Sequence, residues 1–292
     1  MGLRHSYSHK GSLAASNAGE LTHARPAMPS TKYFRTSLLG LRNLVVGGNV
    51  RALGLLSKPR DMVYYASETL FLYKTLAERR RLPEKNIWEV LPSNSAIPVV
   101  LAGISEDSWF GPVASYTADI VSLCLLCRRL NPKAIFEIGT LRGYTTYHLG
   151  LNSAADAKIY TLDLPHDQMN PKLQTTLVDD WHIQASHRDR KYIFDGTPEA
   201  SKITPLFGDS ASFDFSPYWG KSDLFFIDGA HSYEYVRSDT LNAIQCCHEG
   251  SVIAWHDFGR TGVNGVSRWL VEFSKNHKIY TIPGGSLAFM VV

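Results

Sequence analysis

The chain has 292 residues, of which 44% are hydrophobic and 20% charged, and it contains four cysteines. This composition supplies apolar side chains for a large core but too few cysteines for a disulfide framework, which excludes disordered, collagen-like and disulfide-stapled proteins. The formal net charge of +3 is too small for an extended nucleic-acid interface. The most apolar stretch, residues 43–56, is interrupted by Arg51 and is too short to span a membrane. We therefore expect a globular, cytoplasmic protein that binds neither membranes nor nucleic acid.

The N-terminal third shows no catalytic pattern. Residues 1–30 are rich in Ser, Ala, Gly and His without an apolar period, which predicts a disordered leader. Residues 31–110 show mainly helical patterns, and the clearest one, Asp61 to Arg81, ends in three arginines followed by Pro83, a typical helix stop. We expect this helical extension to pack on the main domain, to shape a substrate pocket, or to form a contact between identical subunits.

From about residue 111, strand-like runs alternate with helical patterns. The strand-like runs are 134–138, 158–163, 203–207, 224–228, 252–256, 278–282 and 286–292. The helical patterns are 115–130, a run ending near 152, 233–248 and 265–276. This alternation indicates βαβ units and a doubly wound α/β fold with a mostly parallel sheet. The last two runs flank Pro283-Gly284-Gly285, which predicts a hairpin and one antiparallel strand.

Polar or glycine-containing clusters follow the ends of the predicted strands. They are 137–143, Asp163, 208–210, 223–231 and 256–257. Ligands of doubly wound sheets bind beyond the carboxyl ends of the strands. The candidate functional residues in these clusters are therefore predicted to lie where this fold binds its ligand.

The first cluster contains the glycine turn 139–143 (GTLRG), which lacks the middle glycine that makes room for the pyrophosphate of NAD. The acidic Glu137 just before the turn suits a cationic ligand. Asp163 closes the next strand, where a carboxylate can accept both hydroxyls of a ribose, and Asp209 with Ser210 could border an adenine. An adenosyl group with a cationic centre and no diphosphate describes S-adenosylmethionine.

Five stretches of the sequence resemble the successive motifs of class I S-adenosylmethionine-dependent methyltransferases: FEIGTLRGYTT, TLDLP, GDSASFDF, DLFFIDGAHSYEYVRSDT and SVIAWHDFG. The chain is most similar to the branch that includes the macrocin-type sugar O-methyltransferases and the related cephalosporin-hydroxylase-like proteins. The resemblance implies a methyltransferase domain over residues 111–292. It also implies a Rossmann-like, seven-stranded sheet whose C-terminal hairpin contains the antiparallel strand.

The resemblance further implies a role for each cluster. The residues implied to bind the cofactor are Glu137, Gly139, Thr140 and Gly143 beside the methionine part, Asp163 at the ribose, and Asp209 with Ser210 at the adenine. Asp228 would be a catalytic residue and a ligand of a divalent metal, Asp257 a second ligand, and His231 the general base. Members of the family often have an acidic pair where this chain has His256-Asp257, so His256 is a third candidate ligand.

These residue types suit the transfer of a methyl group from a sulfonium to a hydroxyl, which requires alignment of the reactants and removal of a proton. A histidine titrates in the range needed for that step, and Mg²⁺ held by two carboxylates could bind a diol and lower the pKa of its hydroxyl. The sequence thus predicts an O-methyltransferase acting on a sugar or another small polyol or natural-product metabolite. The alternative is a non-catalytic S-adenosylmethionine-binding module that serves an assembly or regulatory partner.

Several of these features also have purely structural interpretations. Asp228 could be a turn residue at the end of its strand, and His231 could cap the next helix, although Ser232 is the stronger candidate for the cap. The four cysteines lack the further ligands of a zinc site and are expected to be core thiols. The connection 164–201 is long for a link between a strand and a helix and is a candidate substrate lid.

Overall fold

The computed structural model describes residues 81–92, 96–102, 114–164, 171–176, 179, 191–260 and 262–292. The predicted leader, most of the helical extension and much of the candidate lid lie outside these residues. Within them, no helix is both long and apolar enough to cross a lipid bilayer. The four cysteines are unpaired and buried, as predicted.

Five helices and seven strands make up the described part of the chain. In order, they are α1 (Ile87–Val90), α2 (Ala114–Leu130), β1 (Ala134–Ile138), α3 (Tyr144–Asn152), β2 (Lys158–Asp163), β3 (Ile203–Phe207), β4 (Ser222–Ile227), α4 (Tyr233–Cys246), β5 (Cys247–Trp255), α5 (Asn264–Phe273), β6 (Tyr280–Thr281) and β7 (Ala288–Val291). Two short 3₁₀ turns, Pro198–Lys202 and Ser216–Tyr218, precede β3 and β4.

The strands form one seven-stranded sheet in the order β3-β2-β1-β4-β5-β7-β6. Strands β1 to β5 pair in parallel, whereas β7 is antiparallel to both of its neighbours, β5 and β6. The predicted seven-stranded sheet with one antiparallel strand is thus confirmed. The chain leaves β1 toward β2 on one side and returns to β4 on the other, so the switch point, where such sheets bind ligands, lies between β1 and β4.

Helices cover both faces of the sheet because consecutive residues of each central strand point to opposite sides. Phe136 packs in a buried cluster with Val236 and Leu270 from α4 and α5. Its neighbour Ile135 packs in a second buried cluster with Leu126 and Leu149 from α2 and α3, among others. A strand that is buried on both faces is mostly apolar, which explains the apolar runs of the sequence.

The largest difference from the predicted elements is at β5. This strand begins at Cys247, directly after α4, rather than at Val252. The residues after Cys247, 248–250, are exposed, and the pairing of β5 with β4 is irregular between Ser222 and Leu224. Because residues 248–250 are exposed and include no apolar side chain, the sequence there carries no apolar signal of a strand.

Candidate active site

The glycine turn after β1 rests directly on the residue that follows β4. Gly139 has a φ angle of 101°, and a Cβ atom at this position would overlap the backbone oxygen of Asp228. A glycine is required here because it alone combines the positive φ angle with this close approach of two backbones. The turn implied to bind the cofactor therefore lies directly against Asp228, the first of the residues implied to perform catalysis, at the switch point.

Glu137 provides an unusual buried carboxylate beside this turn. Its Oε2 accepts hydrogen bonds from the hydroxyls of Thr161, at 2.6 Å, and of Thr146, whereas Oε1 has no partner among the described residues. Burial raises the pKa of Glu137 to about 8, although the two threonine hydrogen bonds oppose this effect and the charges of Asp228 and Asp163 add to it. A cationic ligand would relieve the repulsion among these three carboxylates.

Thr140 and Gly143 of the turn, and Asp163 at the end of β2, are each fixed by contacts with nearby residues. The hydroxyl of Thr140 lies 2.6 Å from that of Thr161, on the strand that pairs with β1. Gly143 has a φ angle of 76° and is the N-cap residue just before α3, and a Cβ there would collide with the ring of Phe194. At the end of β2, Asp163 Oδ1 accepts a hydrogen bond from the backbone N–H of Leu164 at 3.1 Å.

Asp209, implied to border the adenine, is already engaged in several contacts. Its carboxylate accepts hydrogen bonds from the backbone N–H groups of Lys172, at 2.6 Å, and Ala211, at 2.9 Å, and from the hydroxyl of Tyr235 at 2.9 Å. Ser210 beside it is buried. Asp209 thus joins the connection after β2 to helix α4.

Beyond the ends of β4 and β5, five buried side chains form a continuous series that alternates carboxylate and imidazole. Asp179 Oδ1 lies 2.5 Å from Nδ1 of His231, whose Nε2 lies 2.8 Å from Asp257 Oδ2. The other oxygen of Asp257 lies 3.2 Å from Nδ1 of His256. Nε2 of His256 lies 3.2 Å from Oδ2 of Asp119. We call these five residues the acid–histidine chain.

Two further residues branch from the acid–histidine chain and reach solvent. Asp228 Oδ1 lies 3.0 Å from Nδ1 of His256, and the Asp228 side chain is 23% exposed. Arg260 Nη1 donates to Asp257 Oδ1 at 2.5 Å, and the Arg260 side chain is 40% exposed. The members of the chain itself are at most 11% exposed, so a ligand can reach them on the side of Asp228 and Arg260.

The carboxylates determine the charge of the two histidines. Burial lowers the pKa of His231, but the carboxylates of Asp179 and Asp257 outweigh it and raise this pKa to about 10. The pKa of His256 is also raised well above its usual value, against burial, by Asp228, Asp257 and Asp119. Burial likewise disfavours a charged Asp257, yet the two histidines hold its pKa well below the usual range. Both imidazoles are therefore charged at neutral pH in this arrangement.

Backbone conformation aims these side chains at one another. Asp257 has a φ angle of 62°, a region that costs about 1–3 kcal/mol for a residue other than glycine. Its three ionic partners, His231, His256 and Arg260, hold it there. The cap of α4 is Ser232, whose hydroxyl accepts from the N–H of Tyr235 at 3.2 Å, so the ring of His231 is not used as a cap.

Asp119 anchors the far end of the acid–histidine chain. Its carboxylate accepts hydrogen bonds from the N–H and hydroxyl of Ser286, at 2.6 and 2.7 Å, and from the N–H of Leu287 at 2.8 Å. These residues form the turn between β6 and β7. Helix α2, the C-terminal hairpin and His256 are therefore tied together at one buried carboxylate.

Three side chains offer atoms that could bind one metal ion. Asp228, His231 and Asp257 each present one ligand atom, and these atoms lie within 4.8 Å of one another. Carboxylate oxygens are suitable ligands for Mg²⁺, whereas an imidazole is more typical of transition metals. The predicted ligand His256 is not part of this trio. Its Nδ1 lies 3.0 Å from Asp228 Oδ1 and its Nε2 lies 3.2 Å from Asp119 Oδ2.

Sequence reasoning missed three residues of the site, namely Asp119, Asp179 and Arg260. Asp119 carried a recognisable signal, since it is the one acidic residue in the sequence of the predicted helix 115–130. Arg260 follows Asp257 by three positions in a loop, and Asp179 lies within a long connection, so neither stands out from its neighbours.

Comparison with known proteins gives one family match. Residues 136–258 match a family described as a methyltransferase domain. This segment is less than half of the chain, but it contains every predicted site residue, from Glu137 to Asp257. The match confirms the predicted enzyme class, a methyltransferase, at the level of the domain. No protein of curated function matches the sequence.

Several solved structures are similar to this chain at low sequence identity. The O-methyltransferase TomG of Streptomyces achromogenes, involved in tomaymycin synthesis and solved with SAM, is 16% identical, with 64% of this chain and 86% of that one covered at a TM-score of 0.41. An O-methyltransferase of Bacillus cereus in complex with SAH is 16% identical, covering 75% and 91% at 0.40. The SAH-bound methyltransferase PaMTH1 of Podospora anserina is 12% identical, covering 59% and 77% at 0.43.

Proposed function

Since residues 136–258 match a methyltransferase domain family, we propose that this chain transfers a methyl group from S-adenosylmethionine to a hydroxyl of a sugar or another small polyol or natural-product metabolite. The observation that carries the proposal is the direct contact between Gly139 and Asp228. This contact places the glycine turn beside Glu137 next to the acid–histidine chain. A methyl donor at the glycine turn and an acceptor at the chain would be neighbours.

The surroundings of Glu137 support the choice of donor. S-adenosylmethionine carries a sulfonium and an ammonium group, and the buried Oε1 of Glu137 is an acceptor without a partner among the described residues. A cation beside this carboxylate offsets the free energy that its burial costs. Asp163, at the end of the neighbouring strand, would accept hydrogen bonds from the ribose hydroxyls, while Asp209 and Ser210 would border the adenine.

Asp228 and Asp257 support a hydroxyl as the acceptor. Carboxylates accept hydrogen bonds from hydroxyls, and the two side chains stand side by side after adjacent strands, where neighbouring hydroxyls of a sugar or polyol could reach both. Asp228 is the carboxylate of this group most open to solvent. The acceptor would therefore enter past Asp228 and lie between the cofactor and the histidines.

We assign the removal of the hydroxyl proton to His231. Its Nε2 is occupied by Asp257 in this structure, and the ring is charged. An acceptor hydroxyl that displaces Asp257 from Nε2 would remove one of the two carboxylates that raise the pKa of the ring. His231 could then lose its proton and accept that of the hydroxyl, which is general base catalysis by a histidine.

A divalent cation, Mg²⁺ in the first place, is part of the proposal. The donor set fits such an ion through the carboxylates of Asp228 and Asp257, whose ligand atoms lie within 4.8 Å of each other. When bound, the ion would lower the pKa of the acceptor hydroxyl. His231 belongs to the same trio, and one ring nitrogen cannot both bind a cation and accept a proton, so its role as base excludes its role as ligand through Nε2.

Cofactor binding is tested first, by calorimetric titration with S-adenosylhomocysteine. Asp163→Ala should lower the affinity about 10-fold or more, because a hydrogen bond to a charged group contributes about 1.5–3 kcal/mol. Asp156→Ala is the matched control, because Asp156 is an exposed aspartate paired only with Lys133 among the described residues. Absence of binding to the wild-type protein would overturn the proposal.

Turnover is tested with S-adenosylmethionine carrying a labelled methyl group and a panel of sugars, sugar conjugates and catechols, with and without Mg²⁺. Transfer of label to a hydroxyl is the expected result. Cofactor binding without transfer to any member of the panel would favour the alternative function, a binding module that serves an assembly or regulatory partner.

A further inference from the structure

We propose that Asp179 is a positioning residue for His231, which it holds with Nε2 turned toward the acceptor side of the site. This inference rests on the proposed function, because it assigns a partner to the proposed base. Asp179 lies in the connection between β2 and β3, remote in sequence from the other site residues, and no resemblance or comparison assigns it a role.

Two separate contacts join Asp179 to His231. The same carboxylate oxygen, Oδ1, lies 2.5 Å from the ring Nδ1 and accepts a hydrogen bond from the backbone N–H of His231 at 3.0 Å. The Asp179 side chain is only 2% exposed, so water does not compete for these hydrogen bonds. Asp179 therefore fixes both the backbone and the ring of a single residue.

Asp179 is itself held rigidly. Its second oxygen, Oδ2, accepts the backbone N–H of Thr176 at 2.7 Å, and the hydroxyl of Thr176 accepts the backbone N–H of Asp179 at 3.2 Å. This reciprocal pair has the pattern of a capping box, in which two side chains each accept the other's backbone N–H. The carboxylate thus has a fixed orientation before it meets the histidine.

The orientation of the ring decides which nitrogen can act as a base. A carboxylate beside Nδ1 favours a proton on that atom, so once the acceptor hydroxyl has displaced Asp257, the lone pair of the neutral ring is on Nε2. Nε2 points to Asp257, on the side where Asp228 is open to solvent. Without Asp179 the ring could rotate or carry its proton on Nε2, and neither state presents a lone pair to the acceptor.

A purely structural role for Asp179 makes different predictions, and the chain offers a matched control. Thr176→Val removes the hydroxyl that accepts the N–H of Asp179 and also interacts with its carboxylate, while the backbone N–H of residue 176 still holds Oδ2. Asp179→Asn preserves the size of the side chain but replaces one carboxylate oxygen with a donor. If Asp179 only fastened the connection to the loop after β4, both variants would lower thermal stability and activity in parallel.

The kinetic experiment measures kcat and KM for labelled methyl transfer, with cofactor affinity measured by calorimetry. We expect Asp179→Asn to lower kcat about 10²-fold or more, within the range of general base catalysis, with KM and cofactor affinity changed less than about 3-fold. Thr176→Val should keep kcat within about 3-fold of wild type. An unchanged kcat in Asp179→Asn, or equal losses in both variants, would overturn the inference.

A spectroscopic experiment needs no turnover. In protein labelled with ¹⁵N-histidine, the signals of His231 are assigned by their loss in His231→Gln. Wild type should show a Nδ1-bound proton shifted far downfield by its carboxylate partner, and Asp179→Asn should lose this signal while the signals of His256 persist. A far-downfield Nδ1 proton of His231 that persists in Asp179→Asn would overturn the inference. If the wild type binds cofactor but transfers no methyl group, the proposed function fails, whereas this spectrum still decides the role of Asp179.

Discussion

His231 and Asp257 follow different strands and are 26 positions apart in the sequence, yet His231 Nε2 lies 2.8 Å from Asp257 Oδ2. The two loops meet because β4 and β5 are neighbours in the sheet and run in the same direction. The ring of His231 is thereby held between a carboxylate from each side. Its chemistry depends on the loop after β5 as much as on its own loop.

Replacement of His231 by alanine should lower kcat about 10²–10⁴-fold, the range associated with a general base, and leave the affinity for S-adenosylhomocysteine unchanged. Turnover and calorimetry on the same preparations measure the two quantities. His248→Ala serves as the control, since His248 is exposed and pairs with Asp223 at the opposite end of the strands. Wild-type turnover in His231→Ala would remove this residue from the mechanism.

Asp257→Asn should destabilise the protein by about 3–5 kcal/mol, because it leaves His231, His256 and Arg260 without the buried carboxylate that balances their charges. Urea-induced unfolding measures the loss as a shift of the midpoint. Asp156→Asn, which breaks an exposed ion pair, should leave the midpoint where it is. Equal midpoints for Asp257→Asn and wild type would show that the cluster contributes no net stability.

Gly139→Ala should weaken cofactor binding by at least about 10-fold and destabilise the fold, since the new methyl group would overlap the backbone oxygen of Asp228. Gly220→Ala separates the two causes. Gly220 has a φ angle of 65° but open space at the Cβ position, so this variant introduces only the backbone strain, about 1–2 kcal/mol. Comparable losses in both variants would mean that the contact with Asp228 is unimportant.

Glu137→Gln should stabilise the unliganded protein increasingly as the pH rises. The pKa of Glu137 is raised from 4.5 to about 8, so the folded state binds the proton more tightly than the unfolded state between these values. The stability of wild type therefore falls over that range, and the variant lacks this loss. Thermal unfolding at a series of pH values measures the difference, which should grow up to about pH 8 and then level off. A constant difference would contradict the assignment.

The same variant should bind S-adenosylmethionine more weakly than wild type, because an amide cannot balance the charge of the cofactor. A gain in stability together with a loss of affinity is the pattern expected of a carboxylate retained for binding rather than for folding. Titration calorimetry above pH 8 compares the two proteins where Glu137 is ionised. Equal affinities would show that its charge does not contribute to recognition.

Removal of divalent ions with EDTA should lower methyl transfer, and added Mg²⁺ should restore it. Mn²⁺ provides a readout independent of turnover, since the paramagnetic signal of the free ion decreases when the protein binds it. Asp228→Asn should weaken Mn²⁺ binding about 10-fold or more, whereas Asp156→Asn should not. Full activity in EDTA would show that no metal is needed, and proton removal would then be assigned to His231 and the carboxylates alone.

Much of the fold could be predicted because each central strand is buried on both faces and therefore reads as an apolar run. The run at 134–138 coincides with β1, and the turn after it is marked by the glycine that its geometry requires. The start of β5 could not be found, since its exposed first residues are polar. The position of the residues after β4 and β5 followed from the rule that parallel strands end at one edge.

The charges and contacts of the site residues were harder to predict than which residues lie in the site. Asp228 and Asp257 were expected to converge, and they do, after neighbouring strands. The charge of His231 could not be foreseen, because it depends on Asp179, whose contact with the ring spans 52 positions of the sequence. Short motifs record which residues follow a strand, but not which distant carboxylate will pack against them.

The contact between Asp119 and Ser286 has a consequence for how the protein reaches its native state. It joins segments separated by 167 positions, and the same carboxylate orients His256. Closing so long a loop is entropically costly, and contacts of this kind slow folding. We expect the central strands to be protected from hydrogen exchange before the site residues become ordered. A partly folded chain would then have a complete core but an incomplete site. Only the fully folded protein would be catalytically competent.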